Sequence, residues 1–262
     1  MLHFTDMMGH QLSLGKYPVR IVSVVPSQTE LLFDLGLDEE VAGITKFCVH
    51  PKKWFRTKKR VGGTKTLNID TISALQPDLI IANKEENTQA DIELLQQRFP
   101  VWLSDIRTVD DAFRMIAAIG ALVNKEREAD ELLSLLRSDF STLPPVFKDK
   151  KVAYFIWKDP WMVAADQTFV DSVLRHLGAE NVFGSLTRYP EVTPALIRDS
   201  KADLLLLSSE PFPFREKHTE ELRQLLPDAR VMLVDGEVFS WYGSRLRHLK
   251  SYLLELEKHM SR

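Results

Sequence analysis

Apolar residues recur along this chain in two alternating rhythms. Short β-branched runs are separated by segments in which leucine and isoleucine return every three or four positions, the patterns of buried strand and amphipathic helix. "RIVSVV" (20–25) reads as a buried strand ended by Pro26. Ser27 then stands as the cap of "QTELLFDLG", whose Leu31, Leu32 and Leu35 share one face before the stop at Gly36. "VAGIT" (41–45) is a second strand. Asn68 caps "IDTISALQ", Pro77 stops it, and "DLIIA" (78–82) is apolar enough to be covered on both faces. "TQADIELLQQRF" predicts a helix and "VWLS" a strand. Strands alternating with helices imply an α/β fold with a parallel sheet.

That rhythm breaks at residue 107. From Thr108 to Phe140 the apolar positions keep helical spacing (Phe113, Ile116, Ala117, Leu122, then Leu132, Leu133, Leu136), with no proline and with Gly120 as the one weak point. A single helix of that length would span roughly 50 Å. The stripe is not a strict heptad, which argues against a coiled coil. "KVAYFIW" (151–157) restarts the strand–helix alternation. Three segments are therefore expected: an N-terminal α/β lobe over 1–107, a connecting backbone helix over 108–140, and a C-terminal α/β lobe over 141–262.

The two lobes resemble each other. "NIDTISALQPDLIIAN" (68–83) and "TPALIRDSKADLLLLSS" (193–209) are both capped helix followed by buried strand, with Thr193 as the second cap and Pro194 at the first helical position. Aligning Asp78 with Asp203 sets Leu79-Ile80-Ile81 beside Leu204-Leu205-Leu206, and Asp70 beside Ala195. Two Rossmann-like lobes joined by one long helix would hold a ligand between them, at the strand carboxyl ends.

Composition narrows the partners. The 262 residues carry a net charge of -3 and a single cysteine, which excludes an internal disulfide and any CxxC site. The densest basic cluster, "KKWFRTKKR" (52–60), is short and reads as a solvated loop, so no nucleic-acid partner is expected. "MLHFTDMMGHQLSLGKYPVR" has Asp6, His10 and Gln11 where a secretory signal needs an unbroken apolar run, so the chain as written is expected in the cytoplasm.

"RIVSVVPSQTELLFDLGL", "IDTISALQPDLIIA" and "FVDSVLRHLGAENVF" resemble the helical-backbone (class III) substrate-binding proteins of ABC importers, in order and from about Arg20 onward. The resemblance implies a non-enzymatic, monomeric periplasmic receptor for cobalamin, haem or a ferric siderophore, with no covalent cofactor. It also implies docking on a permease and ATPase complex through one acidic residue per lobe. Asp70 occupies the first of these positions, and the second holds Ala195.

Five stretches fall at strand ends: "TKFCVHP" (45–51), "VGGTKT" (61–66), "NKEEN" (83–87), "IWKDPWM" (156–162) and "EVFSWYGSRL" (237–246). Aromatic residues line the cleft of cobalamin-binding relatives, and Phe47, Trp157, Trp161 and Trp241 match them here, with Tyr242 adjacent. Such flat walls suit a corrin, porphyrin or aromatic chelate. Lys46, Lys65 and Arg245 offer cations to ligand carboxylates, phosphates or an anionic chelate, and Thr64 stands beside them. Glu85 and Glu86 read either as ligands of a hard cation or as the solvated start of the next helix, with Asn87 as its cap. Cys48 and His50 have the atoms of a metal pair, but no second spaced pair of His or Cys completes a set. A small buried cysteine behind Phe47 is the other reading. No Walker loop, GxSxG or HExxH is present. Two other functions fit the same residues: a cytoplasmic carrier or sensor of such a ligand, and an enzyme acting on it.

Overall fold

In the computed structural model, which describes residues 1–260, the chain divides into two units. The first comprises Met1–Ile106, Asp110–Leu136 and Tyr242–Arg245; the second comprises Arg107–Val109, Arg137–Trp241 and the chain from Leu246 onward.

The first unit begins with a hairpin, β1 (Leu2–Thr5) and β2 (Gln11–Leu14). Its main elements are β3 (Ile21–Ser23), α1 (Pro26–Asp34), β4 (Val41–Ile44), α2 (Lys52–Thr57) and β5 (Lys59–Arg60). The hairpin β6 (Gly62–Gly63) and β7 (Thr66–Leu67) follows, then α3 (Ile69–Leu75), β8 (Leu79–Asn83), α4 (Gln89–Gln96) and β9 (Val101–Ser104). Five of these strands form a parallel sheet in the order β5-β4-β3-β8-β9. Val22, Val24, Ile80, Ala82, Val101 and Leu103 of that sheet pack with Ile72 of α3 and Ile92 and Leu95 of α4 in one apolar core. The N-terminal hairpin is tied to the edge strand β9, where Met7 N–H donates to the Leu103 carbonyl at 3.0 Å and Trp102 Nε1 to the Thr5 carbonyl at 3.3 Å. An edge that is covered in this way is not open to another chain.

Helix α1 departs from the expected pattern. Ser27 does not cap it; the cap is Val25, with Pro26 in the first turn, where its missing N–H costs nothing. The polar face is buried as fully as the leucine face, from Pro26 through Leu32. Three of the buried polar side chains have partners: Gln28 Nε2 donates to Ser104 Oγ, Thr29 Oγ1 to Ser23 Oγ at 2.8 Å, and Glu30 accepts from Arg245. Partnering of this kind is what makes burial of polar groups tolerable.

The connecting segment is also corrected. It is not one helix over 108–140 but two, α5 (Val109–Leu122) and α6 (Glu126–Ser141). Asn124 turns left-handed at φ 59°, and Lys125 N–H closes on the Gly120 carbonyl at 2.7 Å. This is the usual way a helix ends on an asparagine. Ala129 N–H to Lys125 O at 3.0 Å then opens α6, and Glu126 and Glu128 in its first turn suit the helix dipole. A Cβ on Gly120 would lie 2.4 Å from the Ala129 Cβ, so the glycine that looked like a weak point is where the two helices meet. The chain passes from the first unit to the second within α6, whose 16 residues span about 24 Å.

The second unit contains β10 (Lys151–Trp157), β11 (Met162–Val163), α7 (Phe169–His176), β12 (Glu180–Asn181), α8 (Pro194–Asp199), β13 (Leu204–Ser208), α9 (Glu216–Leu225) and β14 (Arg230–Val234). Helices α10 (Gly236–Ser240) and α11 (Leu249–Met260) complete it. Its sheet runs β11-β10-β13-β14 with β12 also on β10; all pairings are parallel except the short β11 return.

The internal repeat has a physical basis. Asp78, at the entry to β8, accepts from Val19 and Arg20 N–H at 2.9 and 2.8 Å, and its own N–H reaches the Arg20 carbonyl at 3.0 Å. Asp203, at the entry to β13, accepts from Lys151 N–H at 2.7 Å and donates to the Lys151 carbonyl at 2.8 Å. Each aspartate clasps the amino end of its strand to that of the first parallel strand of its sheet. The caps predicted at Asn68 and Thr193 are present, accepting from Thr71 N–H at 2.8 Å and Leu196 N–H at 3.2 Å. With the amino ends closed by these contacts, the loops at the carboxyl ends are free to carry chemistry.

Candidate ligand-binding loops

In the first unit three loops converge at the carboxyl ends of the sheet. Lys46 N–H donates to the Gly62 carbonyl at 2.8 Å, which joins the loop after β4 to the β6–β7 hairpin. The hairpin glycines make the close approach possible. Gly62 sits at φ +101°, and a Cβ there would lie 2.4 Å from the Thr66 carbonyl. A Cβ on Gly63 would lie 3.1 Å from the Phe47 ring and 3.2 Å from Lys46 Cε.

The third loop, 84–88, is locked by Asn87. That residue is buried rather than capping: its amide donates to the carbonyls of Val24 and Thr64, both at 3.1 Å, and its Oδ1 accepts from Asn83 N–H at 2.9 Å. Thr88 caps α4 in its place, accepting from Asp91 N–H at 3.3 Å. Asn83 Oδ1 holds Glu85 and Glu86 by their N–H groups, at 2.8 and 3.0 Å. Lys65 donates to the Glu85 carbonyl. Burial lifts the Glu86 carboxyl above the ordinary carboxylate value; Lys65 pulls it down and Glu85 pushes it up.

On this rim Phe47 is 51% exposed, with the Lys46 ammonium 5.1 Å from its ring centre. Thr64 is buried beneath, its carbonyl taken by Asn87. Cys48 is wholly buried, with its sulfur 3.1 Å from Thr29 Oγ1 and 3.2 Å from Thr45 Oγ1. Burial pushes its thiol up, away from the thiolate a metal needs. His50 is half-buried, and among the described residues no group of three His, Cys, Asp or Glu could hold a metal ion.

Tyr242 is buried in this unit. The Arg245 guanidinium makes two bonds to the Glu30 carboxylate, at 2.7 and 2.8 Å. Asp70 lies exposed in the first turn of α3, and Ala195 is exposed at the matching place in α8.

In the second unit the three sequence-predicted tryptophans separate. Trp157 is 41% exposed at the end of β10, edge-on to Phe212 at 5.6 Å. Trp161 is 7% exposed and belongs to the core, stacked on Phe214 at 6.0 Å and edge-on to Phe155 at 5.5 Å. Trp241 is equally buried, its indole N–H donating to Glu210 Oε1 at 2.6 Å. Lys158 lies 5.2 Å over the Trp161 ring and pairs with Glu221. Phe212, in the loop after β13, was not singled out from the sequence. The internal repeat does carry the signal, since it sets Ser209–Phe212 beside Lys84–Asn87.

The family described as periplasmic binding protein matches residues 21–228. An uncharacterised ABC transporter substrate-binding lipoprotein of Bacillus subtilis is 26% identical over 214 residues, which cover 77% of this chain and 67% of that protein. The vitamin B12-binding protein of Vibrio vulnificus is 28% identical over 194 residues, covering 70% of this chain and 68% of that one. Among solved structures, a possible iron-binding periplasmic solute-binding protein of Staphylococcus epidermidis superposes with a TM-score of 0.77 at 23% identity, over 94% of this chain and all of that one. At that identity the likeness is one of fold.

Proposed function

This chain belongs to the periplasmic binding protein family, and we propose that within it the chain captures a corrinoid or metal chelate, cobalamin, haem or a ferric siderophore, for ABC-type import. The observation that carries this reading is the pair of exposed aromatic groups at the carboxyl ends of the two sheets. One is Phe47 with Lys46 beside it, and the other is Trp157 against Phe212. Large rings left in water gain most from a flat apolar ligand, and the ammonium groups of Lys46 and Lys65 supply charge for its acidic periphery. The vitamin B12-binding and iron-binding relatives support the ligand class.

The family consists of binding proteins, which favours capture over turnover. The lipoprotein relative favours a station outside the cytoplasm, and nothing in these relatives favours the cytoplasmic carrier. No helix among the described residues is long and apolar enough to cross a membrane. Asp70 is the docking acid on the first unit, and the Ala195 position makes contact with a permease asymmetric between the units.

A thermal-shift panel with cyanocobalamin, haemin, a ferric hydroxamate and a ferric catecholate tests the reading. A true ligand at a hundred times its Kd adds about 2.7 kcal/mol of apparent stability. Absence of a shift with all four would overturn it.

A further inference from the structure

We propose that α2 and β5 form a docking face for anionic phospholipid headgroups, separate from the ligand loops. Between Lys52 and Arg60 the chain carries six lysines and arginines and no acidic residue, although the whole protein is net negative. The helix that bears three of them is anchored from beneath. Trp54 is wholly buried, its indole N–H donating to Asp38 Oδ1 at 2.7 Å and its ring edge-on to Phe33 at 5.3 Å. Asp38 takes up Lys53 and Lys58, and these contacts hold its carboxyl down at about 2.

The outward side keeps Lys52, Arg56 and Lys59 exposed, around a Phe55 ring that is 38% exposed. The Arg60 guanidinium carbon sits 4.4 Å from the centre of that ring and fixes it among the cations. β5 is also the outer strand of its sheet, so this face lies at a sheet edge.

One exposed ring set among fixed cations is the chemistry of an interfacial contact: the ring enters the headgroup layer while the charges meet phosphates. A folded protein partner needs about 800 Å² on each side, more than a six-residue helix offers. Single-stranded nucleic acid needs successive stacking rings, and Phe55 is the one exposed aromatic of α2 and β5. Lipid headgroups rearrange laterally to meet a small cationic patch, so a bilayer is the partner that fits.

Co-sedimentation of the full chain with phosphatidylcholine vesicles, with and without phosphatidylglycerol, tests the face. The protein should pellet with the phosphatidylglycerol vesicles alone and be released by high salt. K52E/R56E/K59E should lower partitioning by about a hundredfold, and F55S by less, both with an unchanged melting temperature. Should the triple variant fold poorly, R56Q and F55S singly carry the test. Equal binding to both vesicle types, no binding, variants that bind like the parent, or displacement from vesicles by equimolar oligonucleotide would each overturn the proposal.

Discussion

Arg245 and Glu30 are 215 residues apart in the chain and joined by two hydrogen bonds, at 2.7 and 2.8 Å. Both side chains are nearly buried, 12% and 10% exposed. The bond fastens the returning segment Tyr242–Arg245 to α1 in the first unit. Gly243, at φ +130°, lets that segment run close by; its Cβ would lie 3.3 Å from the Ser27 carbonyl. Removing the guanidinium leaves the Glu30 carboxylate buried without its cation. R245M or E30Q should each cost about 3 kcal/mol, read as a lower urea midpoint. A ligand role for Arg245 instead predicts a loss of binding at unchanged stability.

Gly120 and Ala129 are where α5 and α6 approach closely. G120A brings a Cβ to 2.4 Å from the Ala129 Cβ and should cost about 1–3 kcal/mol through overpacking, against the gain in helix propensity that alanine normally brings. A129G in the same chain should restore most of the loss. A double-mutant cycle measures that coupling, and additive losses would refute the contact.

His218 makes the second unit sensitive to acid. Its Nδ1 accepts from Arg215 N–H at 2.9 Å, and its ring lies edge-on to Phe212 and Phe214. Burial lowers its pKa below the usual histidine value, with Lys217 and Lys158 adding to the shift and Glu221 opposing it. The unfolded chain therefore takes up this proton first. The stability is fully present above about pH 6.5 and is lost as the pH falls through the lower, folded value. The urea midpoint should drop between pH 7 and 5.5, and H218Q, which keeps an acceptor for Arg215, should flatten that drop.

Phe47 and Trp157 test the ligand loops from each unit separately. F47A and W157A remove exposed rings, so neither should shift the melting temperature by much. Each should weaken capture of whichever chelate stabilises the parent, by about tenfold or more per stacked ring. W161A, by contrast, should cost about 3–5 kcal/mol as a core truncation. Calorimetric titration and thermal melts of the three variants separate contact from packing.

What the chain declares by itself is local or repeated. Asn68 and Thr193 cap helices within three residues of their own position, so their side chains suffice to predict them. The run "DLIIA" and its counterpart at 203 could only be strands covered on both faces, and the aspartate before each clasps the neighbouring strand in both units. The end of α5 was legible too, in Asn124 followed by Glu126 and Glu128, but the unbroken apolar stripe outweighed it.

Tertiary structure decided which aromatic and charged side chains remain available. Trp157 and Trp161 are four residues apart and look alike in sequence. Phe214, Phe155 and the packing around them bury one, while the strand end leaves the other in solvent. Arg245 is paired with an acid at the far end of the chain, and Cys48 with two threonine hydroxyls. Burial depends on partners brought in by the fold, at separations no periodicity encodes, whereas caps and strand runs depend on neighbours a few residues away.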